Sequence, residues 1–185
     1  MRSQYNAHPL AVRCALIVLA VFLISLAVGA LAPLKFPQNA IAPPSIEAVL
    51  NINRGAALRR IFLRNFLVLV LIWVGVLTAG STSVLQVAWN GLRLGLLTRQ
   101  YDPSTLIALV LPHAVLEFSA LLIATTTSLW LVFRLIKGAM AGKAEIGQDM
   151  RKLLPWACLS VILIFVAAVV EVYVTPQIAA HLLTR

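Results

Sequence analysis

Three ionisable side chains, His113, Glu117 and Glu171, stand inside long apolar stretches of this chain. A charged group in the middle of a membrane helix costs roughly 2.5–3.5 kcal/mol on insertion scales, so residues of this kind mark function by default. His113 and Glu117 are four apart, which puts them on one face of one helix, a turn from each other. Two carboxylates beside an imidazole could share a proton, bind a cation or act as acid and base. One His and two Glu could also ligate zinc or another divalent ion. The helical H-E-x-x-H pair is absent, so a metal or catalytic role rests on spacing alone. No cofactor is predicted beyond that possible divalent metal. Asn65, Asn90 and Tyr173 are further polar candidates for the same core or for binding a partner. Three readings stay open: a hydrogen-bonded knot that pins helices together, a partner or substrate site within the bilayer, and a metal or acid-base site.

Only long helices can hold such residues. The chain has 185 residues, 61% hydrophobic and 11% charged, against roughly a quarter charged in ordinary soluble domains. Several apolar runs reach the ~20 residues needed to cross ~30 Å of hydrocarbon as a helix. They are continuous rather than alternating, which favours helices over a barrel. The fold class is therefore all-α: a polytopic integral membrane protein of about five membrane helices, one short or re-entrant, plus an amphipathic interfacial helix. The net charge is +9, from 15 basic and 6 acidic residues. The bases flank the apolar runs, as topology signals and lipid contacts do. Without aromatic-basic interleaving, nucleic-acid binding is excluded. Cys14 and Cys158 each lie in an apolar run and read as packed small residues, not a disulfide framework.

The first run, 10–34, has a basic start and could be a signal peptide; its length favours a retained span. Prolines 33, 37, 43 and 44 break it. An amphipathic connector over 45–63 follows, with Ser45 as its N-cap and Glu47 in its first turn. The second run spans 66–77. A shorter piece, 84–97, carries Asn90, Arg93 and the small pair Gly91-x-x-x-Gly95, which lets backbones approach. Asn65 could be a helix cap, and Asn90-Gly91 a turn or an interhelical hydrogen bond. The longest run, 105–136, contains Pro112, which predicts a half-helix before it and a full span after it. Arg134 ends that span as a snorkelling side chain. The last span is 153–175, with Pro176 as its stop.

Depth counting brings the candidates together. At ~1.5 Å per residue, Glu117 lies roughly 28 Å from Ile136, and Glu171 roughly 26 Å from Leu154. Both carboxylates reach one level, with His113 near Tyr173. Arg134, Lys137, Lys143, Arg151 and Lys152 place their loop in the cytoplasm by the positive-inside rule. The N-terminal half conflicts with itself, because Arg2 and Arg13 on one side of the first span compete with Arg54, Arg59, Arg60 and Arg64 on the other.

Leu111-Pro-His-Ala-Val-Leu-Glu-Phe-Ser-Ala120 resembles the Leu-Pro-His-Gly-x-x-Glu-Leu-x-Ala signature of the stage II sporulation protein M family. Asn65, Gly75 and Asn90-Gly91 with Gly95 are similar to its spaced Asn and Asn-Gly positions. Val170-Glu-Val-Tyr-Val-Thr-Pro176 resembles its terminal Ile-Glu-Ala-Phe-Ile-Thr-Pro. The likeness covers 65–176, and Ala114 departs from the usual Gly. It implies a multi-pass protein of the bacterial cytoplasmic (inner) membrane with no demonstrated chemistry of its own. The founding member is a platform for secreted peptidoglycan-degrading partners in engulfment, and related proteins accompany circular bacteriocin clusters. The family's marked positions carry over as Asn65, Asn90, His113, Glu117 and Glu171. The expected partners are membrane lipids and a protein partner or further copies of the chain. The expected function is a non-enzymatic scaffold or accessory subunit for an envelope process, recruiting or regulating a cell-wall hydrolase or exporter. The alternatives are an intramembrane metal-dependent peptidase or cyclase and a small transporter or immunity protein.

Overall fold

The computed structural model describes residues 7–33, 53–142 and 146–183. They form α1 (Ala7–Leu31), α2 (Arg54–Val74, tightening into a 3-10 turn over Gly75–Thr78), α3 (Ser81–Gln100), α4 (Pro103–Leu109), α5 (Leu111–Met140), α6 (Ile146–Val169, running on through a π-helical turn at Val170–Val174) and α7 (Thr175–Leu183). The described residues contain no strand, and the chain is an all-α polytopic membrane protein. Four stretches among them are long and apolar enough to cross a membrane: Pro9–Leu31, Arg54–Thr78, Leu111–Met140 and Gly147–His181. Leu16, Ile24, Leu67, Leu85, Ile162 and Phe165 point outward from the bundle. So broad an apolar exterior suits lipid and not water.

Helix directions follow from the contacts. Phe22 meets Gly91, Gly29 meets Gly95, and the Arg99 guanidinium donates to the Ala32 carbonyl, so α1 and α3 run side by side in the same direction. Their backbones nearly touch: a Cβ on Gly95 would stand 2.1 Å from the Leu26 carbonyl oxygen. That close approach is what Gly91-x-x-x-Gly95 permits. α2 and α3 form an antiparallel hairpin around Ala79 and Gly80. Gly80 has φ +88°, a left-handed conformation that glycine takes without a Cβ clash.

At this hairpin Ser83 Oγ donates to the Ile72 carbonyl (2.6 Å), as does Ser128 Oγ (3.0 Å), and the two hydroxyls lie 2.9 Å apart. One buried hydroxyl pair thus ties α2, α3 and α5. Leu69, Ile72, Ala120, Leu121, Ala124 and Ile164 pack beside it. Lipid tails are as apolar as these side chains, so close packing and such hydrogen bonds hold the bundle.

Several expectations change. The first part of the predicted 45–63 connector, with Ser45 and Glu47, lies outside the described residues. From Arg54 onward it is no separate helix but the opening turns of α2. Asn53 caps that helix, its Oδ1 accepting from the Ala56 N–H at 3.2 Å. No proline interrupts 54–74, and Arg59 and Arg60 are exposed there, so their heads can reach water from a continuous span. The predicted short piece 84–97 is a continuous 20-residue helix, α3. Its length suffices to return across the bundle, and its polar residues keep it out of the apolar group above.

Asn65 is an interior residue of α2, not a cap. Asn90 also lies inside a helix, its Nδ2 donating to the Gln86 carbonyl at 2.8 Å. Pro176 does not stop the last helix. The Thr175 N–H bonds to the Val170 carbonyl, five residues back, and this wider turn lets the chain enter α7 with Pro176 near its start, where a missing N–H costs nothing. The break before Pro112 is as predicted: α4 ends, Val110 turns away from ideal helix at φ −110° and ψ −50°, and α5 starts with Pro112 in its first turn.

Candidate functional site

α2, α3, α5 and the π-turn converge on one cavity of about 170 Å³, into which Arg64, Asn65, Asn90, Arg93, His113, Glu117 and Glu171 all project. Each is placed by a local feature of its helix. Arg64 and Asn65 ride on the α2 turns set by the Asn53 cap. Asn90 and Arg93 are three apart and share a face of α3, whose position is fixed by the glycine crossing with α1. His113 and Glu117 follow the reset at Val110. Glu171 lies within the π-turn, where one extra residue rotates the following face by roughly 100°.

His113 and Glu171 face each other with Nε2 and Oε2 4.0 Å apart, and their side chains are 13% and 31% exposed. That separation exceeds a direct hydrogen bond. The buried Nδ1 of His113 has no hydrogen-bond partner among the described residues. Glu117 lies in the fields of Arg93 and Arg64, and Glu171 in those of Glu117 and Arg64. Among the described residues neither arginine comes within ion-pair distance of either carboxylate. Two cations and two carboxylates therefore face a shared space without pairing with each other, while His113 stands opposite Glu171. Such a site can take a polar or charged group. No group of three or more His, Cys, Asp or Glu among the described residues is arranged to hold a metal ion.

Five of the six polar candidates line this cavity. Tyr173 does not; its ring lies under the guanidinium of Arg54, 5.7 Å from Cζ to centroid. The arginines are what sequence reasoning missed. From sequence, Arg64 reads as a topology charge and Arg93 is given no role, yet Arg64 adjoins Asn65 and Arg93 is one helical turn from Asn90, a spacing that could have flagged both.

Fold and site together define a polytopic helical membrane protein with a polar, charge-bearing cavity set among its helices. The Stage II sporulation protein M family model matches residues 18–176. The chain is 33% identical over 131 residues to an uncharacterized protein of Methanocaldococcus jannaschii, covering 67% of this chain and 74% of that protein. The chain belongs to the stage II sporulation protein M family. No solved structure matches it.

Proposed function

We propose that this protein is a non-enzymatic accessory subunit of the bacterial cytoplasmic membrane. Its cavity seats a polar residue from the membrane segment of an envelope partner, a cell-wall hydrolase or an exporter. One observation carries the reading: Arg64, Arg93, Glu117 and Glu171 share a space within the membrane bundle, and neither arginine comes within ion-pair distance of either carboxylate. Isolated charge at this depth is costly, and a partner's polar group would complete it. Side chains that served only to pin these helices would be expected to hydrogen-bond directly, as Ser83 and Ser128 do.

The test is co-purification of the full-length protein in mild detergent, beside Glu117→Gln and Arg93→Gln. An identified envelope protein retained by the parent and lost from both variants supports the proposal. A chain that stays monomeric and partner-free, or variants that keep the partner, refutes it.

A second reading is favoured by the facing His113–Glu171 pair: an intramembrane peptidase or cyclase in which His113, Glu117 and Glu171 are acid-base groups or hold a divalent ion. As arranged here the three do not converge on one ion, so a metal-dependent version would need these side chains to rearrange. Metal analysis of purified protein beside Glu117→Gln decides that version: stoichiometric metal lost in the variant supports it, and equal background metal in both rejects it.

A further inference from the structure

A second cavity lies further along α5, from Leu122 to Trp130, one turn beyond Phe118, which lines the polar one. α1 and α6 pack along different flanks of α5, and the groove between them, about 640 Å³, is lined by Ala15, Leu19, Leu122, Trp130, Lys152 and Trp156 among others. Its wall is apolar apart from Thr126 and Thr127 and one end, where Lys152 and the half-exposed Trp156 stand. One turn beyond Leu19 and Leu122, the Phe22 and Phe118 rings pack on each other with centroids 5.1 Å apart.

We propose that this groove holds one acyl chain of an anionic phospholipid, with the phosphodiester headgroup at Lys152 and the Trp156 indole in the interfacial layer. Length argues for a lipid tail over a protein helix. On α5 the lining runs from Trp130 to Leu122, eight residues or roughly 12 Å. A transmembrane helix would need a track of about 30 Å; a tail entering from the membrane surface needs only half the bilayer.

Charge argues for an anionic headgroup. Asp149 is already engaged by Arg134 through two hydrogen bonds, and Lys152 sits 3.8 Å from it, half exposed. The three side chains together leave one positive charge at the groove mouth. Exposed Arg13 and Arg151 lie on the same two helices at this end, which adds to the attraction for a negative lipid. Tryptophan at the mouth suits the headgroup level.

Intrinsic fluorescence in lipid nanodiscs tests this with the full-length chain. In a Trp73→Phe/Trp89→Phe background the remaining tryptophans are the two that line the groove. The probes are tail-brominated phosphatidylglycerol and tail-brominated phosphatidylcholine, each as a minor component of unbrominated phosphatidylcholine. The expected result is quenching at least about threefold stronger with the anionic lipid. Lys152→Gln should make the two lipids equal, and Ala15→Leu, which fills the groove, should weaken both. Equal quenching by both lipids in the parent would mean ordinary annular lipid only and would overturn the proposal. So would protection from both lipids, together with an Ala15→Cys disulfide between chains, which would put a second copy in the groove. The Lys152→Gln change lies at an exposed side chain, so the comparison stands even if Ala15→Leu fails to fold.

Discussion

At the Trp130 end of α5, Arg134 donates from Nε and Nη2 to the two oxygens of Asp149, at 3.1 and 3.2 Å, and its guanidinium lies over the Trp130 ring. Asp149 is buried, and Lys152 adds a third charge beside it. At the His113 end, Arg64 and Arg93 share a cavity with Glu117 and Glu171 and reach neither. Arginine and carboxylate side chains therefore form a closed clasp at one end and an open set at the other. A closed, planar, two-point pair is how arginine fixes geometry. Charges left open among membrane helices hold the bundle less directly than such a clasp, which is the ground for proposing that they receive a partner's polar group.

Breaking the clasp should have the largest effect. Asp149→Ala strands Arg134 over an apolar ring and should cost about 2–4 kcal/mol, toward the low side for a buried pair because Arg134 keeps some solvent contact. Thermal unfolding in detergent reads this. The double change Arg134→Met/Asp149→Leu should recover most of the loss, since a well-packed apolar pair can replace an ion pair. A double variant no better than Asp149→Ala would mean that the charge itself is needed.

Gly95→Ala comes next. Its new Cβ would meet the Leu26 carbonyl oxygen at 2.1 Å and the Ala30 nitrogen at 2.7 Å, so the helices must separate, at a cost of roughly 1–3 kcal/mol. Because α3 carries Asn90 and Arg93, this change should also impair the open end while sparing the clasp. Partner retention should fall with Gly95→Ala and hold in the repaired Arg134/Asp149 double variant. The opposite order would erase the distinction between the two ends.

Glu117→Gln should shift stability by less than about 1 kcal/mol, in either direction, as expected where no tight pair is lost. Its effect should fall on partner recovery, by about tenfold, equivalent to ~1.4 kcal/mol of binding. A large loss of stability from this one change would recast the open end as a second structural clasp.

The contrast between the ends was only partly legible in the sequence. Depth counting brings Glu117 and Glu171 to one level because helical rise is constant, and they do line one cavity. The Pro112 rule places the break because proline acts locally. What a helix faces is a tertiary property, so Arg64 reads as a topology charge, Arg93 as a charge without a role and Arg134 as a snorkelling end. Asp149 sits in the first turn of α6 and not in a loop, and its pairing across fifteen residues with Arg134 has no sequence signature. The π-turn at Glu171 was equally hidden, since proline at 176 normally signals an end; here the carbonyl of Val170 finds a donor one residue later than usual.

The smallest effect belongs to an exposed charge at the approach to the open end. Asp102 caps α4, accepting from the Thr105 N–H at 3.0 Å and the Thr105 hydroxyl at 2.6 Å, with the Ser104 hydroxyl also donating to it. These hydrogen bonds, that of Ser104 foremost, hold its carboxyl below the ordinary carboxylate range. A group whose pKa is lower when folded stabilises above its unfolded value, near ~4, and loses that contribution as pH falls through the folded one. Hydrogen exchange at Thr105 and Leu106 should therefore be slow at neutral pH and speed up in acid relative to an Asp102→Asn variant, whose cap does not titrate. Global unfolding should hardly change, because α4 is a single short helix. If acid instead loosens His113 and Glu117 along with α4, then α4 and the Val110 break act as one lever on the open end, and Asp102 belongs to the site rather than to its approach.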